Sequence, residues 1–152
     1  MGLVYASFEL INTDDLALAR RNIIGEDEIK RMNINMLVDS GAYMLAINEN
    51  IQEYMKFPAL GKRKSVLADR TVIEHDLVGP VRIIFKNRIS TCNAIVLPGD
   101  SEPLMGSIPM EEMDVLIHPQ RNELIINPEH PDMAVLSLKQ IVSSRSLFQA
   151  VV

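Results

Sequence analysis

The acidic residue in the most distinctive context is Asp39, which follows a run of strand-forming apolar residues and precedes Ser40 and Gly41. Because Leu37 and Val38 are apolar, we expect Asp39 to leave the end of a buried strand. A carboxylate at the edge of a core is costly unless hydrogen bonds or a function hold it there. Gly41 lets the chain turn sharply, so that backbone N–H groups can approach the carboxylate closely. A pair of such carboxylates sharing one proton can activate a water and protonate a carbonyl oxygen.

The same three residues also fit a simpler interpretation, a serine-glycine turn that ends a strand. Each residue type is common, so the triplet by itself has little specificity. A second segment, Leu104-Met105-Gly106, adds two apolar residues and a glycine, and a short helical stretch beginning at Pro109 follows it. Several strand-like segments with turn signals lie between the two sites, which favours an all-β barrel or sandwich.

This combination resembles the retropepsin-like aspartic proteases of clan AA, and more narrowly their bacterial single-domain members. The matching stretches are residues 37–42, 67–69 and 103–106, and the resemblance covers roughly residues 3–128. It implies an all-β closed barrel with one or two short helices, and a dimer whose site forms at a two-fold axis. We expect a protease domain at 1–130 and a C-terminal tail of unknown role at 131–152, which could pack on a partner subunit.

The resemblance also implies roles for individual residues around the acid. Asp39 would be the catalytic acid, the Ser40 hydroxyl would bond across the dimer, and the Gly41 N–H would point at the carboxylate. Three residues would pass beneath this loop and brace it: Leu104, Met105 and Gly106.

A predicted hairpin at 65–78 would form the flap that closes over an extended peptide. The residues implied at the flap and beside the acids are Ala42, Leu67, Ala68, Asp69 and Arg70. Relatives commonly have glycine after the Ala-Asp pair, whereas this chain has Arg70. Glycine permits a positive φ at a tight tip, so arginine there would be strained or would force another turn.

The chain holds one Asp-Ser/Thr-Gly motif, so a pair of such acids requires two copies of the chain. Asp100-Ser101 comes nearest to a second motif, but Glu102 replaces the glycine. In aspartic proteases the two carboxyls share a proton, because two carboxyl groups so near each other cannot both be ionised. The implied function is a homodimeric aspartic endopeptidase acting on peptides or proteins. The alternative is an inactive retropepsin-like dimer that binds extended peptides or partner proteins, since a fold does not fix a function.

The composition narrows the expected partners and compartment. The 152 residues suit one domain with a real core, and a net charge of −5 with interspersed bases argues against nucleic acid. No apolar run reaches the length of a membrane span, and the first residues lack the pattern of a signal peptide. Cys92 is the only cysteine, so we expect a reducing cytoplasm and no disulfide within the chain.

The remaining candidates for chemistry have simpler explanations. His75, His118 and His130 lack metal-ligand spacing and no glycine-rich phosphate loop occurs, so we expect no metal and no cofactor. Cys92 lies in a predicted strand and is expected to be a small core residue. Two pairs of acids are expected to lie in the first turns of helices, where they favour the helix dipole: Asp14-Asp15 and Glu111-Glu112.

Apolar alternation and turn signals predict the remaining elements. Strands are expected at 3–10, 29–38, 43–47, 81–85 and 89–97, and a last hairpin at 115–118 and 123–126. Gly79-Pro80 is expected to break the chain after the flap hairpin. Helical segments are expected after Thr13, after Asn48 and from Pro109. The run at 62–64, Lys-Arg-Lys, is expected to be a solvated strand entry rather than a binding patch.

Overall fold

The computed structural model describes residues 2–138, which are mostly β. Of the predicted tail at 131–152, residues 139–152 lie outside the described part. The described strands are β1 (Tyr5–Asn12), β2 (Arg31–Val38), β3 (Leu45–Asn48), β4 (Ala59–Val66), β5 (Val72–Phe85), β6 (Arg88–Leu97), β7 (Leu104–Met105), β8 (Val115–His118) and β9 (Glu123–Ile126). The described helices are α1 (Thr13–Arg20), α2 (Glu49–Met55) and α3 (Ser107–Met113), with a single 3₁₀ turn at Glu26–Glu28.

The strands form because apolar residues recur at every second position. In the first strand segment Val4, Phe8 and Leu10 are buried, while Ser7 faces solvent, which confirms the predicted alternation. The inward side chains belong to one hydrophobic core shared by the sheet and α3. Within it the rings of Phe8 and Phe85 pack with centroids 5.4 Å apart.

Seven strands form one sheet in the order β1-β2-β7-β3-β6-β5-β4. The sheet also curls back on itself, because β1 pairs antiparallel with β5 as well as with β2. Hydrogen-bonded pairing therefore runs in a ring through six strands, and β4 extends from β5 outside that ring. The last two strands form a separate hairpin in which β8 pairs antiparallel with β9.

One helix differs from the sequence prediction in register. Three α-helices occur in residues 2–138, as the three predicted helical segments require, although the family resemblance implied one or two. The helix predicted to begin at Pro109 begins at Ser107, so Glu111 and Glu112 do not lie in its first turn. The N–H groups of Ser107 and Ile108 donate instead to carbonyl oxygens of the loop at 42–43, at 2.7 and 3.0 Å. These backbone contacts, rather than acidic side chains, satisfy the start of α3.

Asn12 rather than Thr13 caps the first helix, through its side-chain oxygen and the N–H of Asp15 at 3.1 Å. Asp15 lies in the first turn as expected and is buried. Its carboxylate accepts the N–H of Lys30 at 3.0 Å and lies 2.7 Å from the Lys30 ammonium. The side chain therefore has a structural role in attaching α1 to the start of β2.

The strand expected to break at Gly79-Pro80 continues through it. The pairing of β5 with β6 shifts between Val78 and Val81, which is the mark of a β-bulge. Gly79 has a φ of +146°, and its N–H donates to the Pro58 carbonyl at 3.0 Å. Because the bulge absorbs the extra residues, β5 is a single long strand rather than two.

Two other boundaries were also wrong. The first strand of the flap hairpin begins at Ala59 rather than at residue 65, and β3 begins at Leu45 rather than at 43. Arg88, expected in a turn, opens β6 and is only 1 % exposed. Its guanidinium donates to the backbone carbonyl of His130, which attaches the segment after β9 to the sheet.

Candidate active site

Asp39 directly follows β2, at the point where the chain leaves the core. The preceding Val38 is buried, and the Asp39 side chain is half-buried. The Gly41 N–H donates to Asp39 Oδ1 at 2.9 Å, and the Ala42 N–H donates to the Asp39 carbonyl at 3.1 Å. We call residues 39–42 the acid loop. The loop folds around its own carboxylate, and that carboxylate keeps further acceptor positions for a water or a second carboxyl.

A segment of the same chain that is distant in sequence, Leu104 to Ile108, braces the acid loop. β7 pairs parallel with β2, with Leu104 opposite Leu37 and Met105 opposite Val38. The Asp39 N–H donates to the Met105 carbonyl at 3.0 Å. The start of α3 binds the other end of the loop through the two bonds described above. The segment that begins at Leu104 therefore contacts the acid loop on both sides of the carboxylate.

Gly106 sits where this brace passes closest to the loop. A Cβ built on Gly106 would lie 2.4 Å from the Met44 carbonyl oxygen and 2.6 Å from the Tyr43 carbonyl carbon. Both of these are backbone atoms, which cannot move aside as a flexible side chain would. Lack of space therefore requires glycine at 106. Its backbone conformation does not, since a φ of −89° is available to any residue.

A cleft of about 710 Å³ opens beside the acid loop. Gly41 and Ala42 line one side of it, and β4 residues up to Val66 together with Leu67 line the other. Ser40 faces away from this cleft and lines a separate depression of about 210 Å³ with the start of α3 and with β8. The acid loop therefore lies between two depressions, the cleft on one side and the depression lined by Ser40 on the other.

The hairpin tip, residues 67–71, closes through its own hydrogen bonds. The Leu67 N–H donates to the Thr71 carbonyl at 2.8 Å, and the Arg70 N–H donates to the Leu67 carbonyl at 2.9 Å. Arginine at the tip was expected either to be strained or to force another turn. Arg70 has a φ of +68°, so it keeps the tight turn and is strained. This pattern is a three-residue hairpin loop with a left-handed residue at its end. Leu67 lines the cleft, whereas Ala68, Asp69 and Arg70 form the turn beyond it.

Asp69 has a structural part in that turn. Its Oδ1 accepts the Thr71 N–H at 2.9 Å. Hydrogen bonds from the Thr71 side chain and then from its N–H lower the pKa of the Asp69 carboxyl. The charge therefore stabilises the turn, and a group held in its ionised form is a poor proton donor.

Sequence reasoning missed the charged side of the cleft. Arg63 and Lys64 both line it, although this run was expected to be a solvated strand entry. The signal was present, because alternation along a strand places Arg63 and Ser65 on one face and their neighbours on the other. All three residues of the run are exposed, as expected, but they lie within β4 rather than at its entry.

No other group in the described residues forms a comparable site. Burial, and then the nearby charge of Glu112, raises the pKa of Cys92 to about 12, so its thiol is unreactive. Among residues 2–138 no three His, Cys, Asp or Glu side chains lie close enough together to hold a metal ion. No helix in that part of the chain is long and apolar enough to span a membrane.

Comparison with known proteins finds matches among solved structures. No protein-family model and no curated protein matches the chain. The crystal structure of the retroviral protease-like domain of Ddi1 from Leishmania major matches with a TM-score of 0.48 and 14 % sequence identity. The match covers 64 % of this chain and 81 % of that chain. At that identity, any activity of this chain has to follow from its own residues.

Proposed function

We propose that the chain is a homodimeric, retropepsin-like aspartic endopeptidase in which each of two copies contributes Asp39. The pairing ring through six strands supports the closed barrel that such an enzyme requires. The region 1–130 would be the protease domain. The observation that carries the proposal is the acid loop itself, a carboxylate at the end of a core strand, held by a glycine N–H and braced by a remote segment.

The acid loop has the two properties that acid–base catalysis requires. It is fixed, because backbone hydrogen bonds of 2.7–3.0 Å join Met105 to its first residue, Ser107 to its last residue and Ile108 to the next residue along the chain. It is also accessible, because Asp39 is partly exposed and Gly41, whose N–H holds its carboxylate, lines the cleft. A preorganised carboxylate at the side of a cleft can meet a substrate without first rearranging.

The surface around the acid loop supports a second copy of the chain. The depression beside Ser40 is lined by the apolar side chains of Met110, Val115, Leu116 and Ile117. One of them, Leu116, is 37 % exposed. Large apolar side chains grouped on a surface mark an interaction site. A two-fold axis through this surface would bring the two Asp39 carboxyls together and cover these side chains. Ser40, which faces away from the cleft, would then lie on the side of the partner.

The reaction follows from two carboxyls that hold one proton between them. The ionised carboxylate takes a proton from a water whose oxygen attacks the carbonyl carbon of the scissile peptide bond. The protonated carboxyl gives its proton to the carbonyl oxygen, which yields a tetrahedral diol. The C–N bond then breaks as the nitrogen takes the proton from the carboxyl that the water protonated, while one diol hydroxyl returns a proton to the other carboxylate, which leaves a carboxylic acid and an amine. Protons and electrons balance without a metal or a cofactor.

The substrate would bind in the cleft as an extended chain. β4 lies at the end of the sheet order and pairs with β5 on one side. An extended peptide placed against such an edge gains main-chain hydrogen bonds, and its alternate side chains reach pockets. The apolar cleft lining gives those pockets: Ala42, Met44, Ala46, Val66, Leu67, Ile95, Leu97, Leu104 and Ile108.

The test is cleavage of an unfolded protein at mildly acid pH by wild type and Asp39→Asn. We expect the substitution to reduce the rate at least about a thousandfold, since it removes an acid–base group. Asp14→Asn is the matched control, because Asp14 lies in the first turn of α1, and it should keep wild-type activity. Unchanged activity in a folded Asp39→Asn variant would contradict the proposal. Peptide binding without any cleavage by wild type would favour the inactive dimer instead.

A further inference from the structure

The two faces of β4 carry different charge environments. In the antiparallel pairing with β5, Arg63 lies opposite His75 and Ser65 lies opposite Ile73. Residues directly opposite each other share a face of the sheet. His75 is only 8 % exposed, so the face that it shares with Arg63 is the inner one, and Arg63 itself is exposed at the mouth of the cleft. By alternation Lys62 and Lys64 belong to the other face, although Lys64 also lines the cleft.

Lys62 has an acidic partner, whereas Arg63 has none. The Lys62 ammonium forms an ion pair with Asp76, which lies opposite it on β5. Lys64 lies opposite Glu74 on the same outer face. Among residues 2–138 no carboxylate lies within 4.0 Å of the Arg63 guanidinium. Arg63 is therefore the base of this run whose charge is not matched by a facing acid.

Arg63 also occupies a boundary between two apolar depressions. It lines the cleft beside the acid loop and an adjoining depression of about 240 Å³. Met44 and Ile108 are shared by both linings, and neither lining contains an aspartate or a glutamate. The chain as a whole carries a net charge of −5, whereas the charged residues that line the cleft, Arg63 and Lys64, are both basic. A planar guanidinium in such a place is suited to a carboxylate, which it can bind with two parallel hydrogen bonds.

We propose that Arg63 binds a carboxylate of the substrate peptide and makes the cleft selective for acidic peptides. The inference rests on the proposed function, because it names the substrate class of the same cleft. The carboxylate can belong to an aspartate or glutamate side chain near the scissile bond, or to the C-terminus of the peptide. Both sources present the same planar anion to the guanidinium.

The experiment uses peptides taken from a segment that wild type cleaves in an unfolded protein. One position at a time holds glutamate or glutamine, and each peptide is made with a free and with an amidated C-terminus. We expect wild type to prefer one glutamate peptide about tenfold in kcat/KM, the size of one charge-assisted hydrogen bond. If the source is the C-terminus, the same preference will follow the free terminus instead.

Three variants assign the preference to Arg63. Arg63→Gln keeps most of the apolar stem and should bring the ratio of the two peptides close to one. Arg63→Lys keeps the charge without the planar fork and should retain part of the preference. Lys62→Gln is the matched control on the outer face and should leave the ratio at the wild-type value. Equal cleavage of all peptides by wild type, or a ratio unchanged in Arg63→Gln, would overturn the proposal.

A binding measurement separates this proposal from the proposed function. Fluorescence anisotropy with the labelled peptides on Asp39→Asn gives dissociation constants without any need for cleavage. A tenfold preference that disappears in the double variant Asp39→Asn, Arg63→Gln supports the role of Arg63 even if wild type cleaves nothing. Cleavage without a preference overturns the role of Arg63 and leaves the peptidase proposal intact.

Discussion

The acid loop and the hairpin tip are both tight turns beside the same cleft, yet they are held in opposite ways. The acid loop is bonded by segments far away in sequence, β7 and the start of α3, and it sits on a buried strand. The hairpin tip is held by bonds among its own residues, 67–71, and its strands project from one edge of the sheet. Exposed hairpins with few buried contacts open at a lower free energy than core strands.

This difference matches the work each region would do. A catalytic carboxylate must keep its position, so long-range contacts that break only with the whole domain suit it. A covering hairpin must move to admit a peptide, and local bonds let it move as a unit. The comparison predicts that substitutions at the brace affect global stability, whereas substitutions at the hairpin have small local effects.

The largest effect is expected at the brace. Gly106→Ala should lower the free energy of unfolding by about 3 kcal/mol or more, because its methyl group meets backbone atoms. Gly99→Ala adds the same methyl in open space and should cost about 1 kcal/mol for its positive φ. On the hairpin, Val66→Ala removes a side chain that is 71 % exposed and should change stability by less than about 0.5 kcal/mol. Denaturant titration measures all three, and equal costs would break the comparison.

An intermediate effect is expected at Asp114, which ends the helix that braces the acid loop. The Val135 N–H, the Asn127 side chain and His130 donate to its carboxylate and lower its pKa to about 2. The unfolded chain takes up this proton first as the pH falls. The stabilisation is therefore complete above about pH 4, near the ordinary pKa of 3.8, and is lost as the pH falls toward 2.

The test compares acid unfolding of wild type with Asp114→Asn and Asp69→Asn. Asparagine tolerates the left-handed φ of 55° at Asp114 and keeps an acceptor for the Val135 N–H. Wild type should lose its advantage over Asp114→Asn between about pH 4 and pH 2. Asp69, on the hairpin tip, has its pKa lowered in the same direction and should show the smaller acid-dependent loss. A larger loss at Asp69 would contradict the ranking of the two regions.

A small effect of the opposite sign is expected at the hairpin tip itself. Arg70→Gly relieves a left-handed φ that costs about 1–2 kcal/mol. Glycine also gives the unfolded chain more conformational entropy, which offsets part of this gain, so the free energy of unfolding should rise by about 0.5–1 kcal/mol. Ala68→Gly, in the same loop, has no positive φ to relieve and should lower stability. Thermal unfolding of the two variants measures the difference. Equal losses in both would mean that Arg70 is not strained.

The features that could be predicted from the sequence are those set by local patterns. Alternation placed the inward side chains of β1, and Asn48 was correctly read as the start of a helix, since its side chain accepts the Ile51 N–H. The hairpin with its tip near Asp69 was also found, because β4 and β5 meet at that turn. In each case the cause lies within a few residues of its effect.

The features that could not be predicted depend on tertiary contacts. The start of α3 was misplaced because the acid loop, not a capping side chain, accepts its first N–H groups. The full length of β4 was missed because its exposed basic residues give no apolar alternation. Burial of Arg88 could not be foreseen, since its acceptor is the His130 carbonyl of a distant segment. The catalytic, flap and supporting roles assigned to residues stay predictions.

The central claim is that one active site takes an Asp39 from each of two chains, and subunit mixing tests it most directly. Wild type at constant concentration is incubated with increasing amounts of Asp39→Asn, and peptide cleavage per wild-type chain is measured. A ninefold excess should reduce that activity to about one tenth, because most wild-type chains then pair with an inactive partner. The same excess of an unrelated protein is the control. Activity per wild-type chain that stays constant across the titration would contradict the claim.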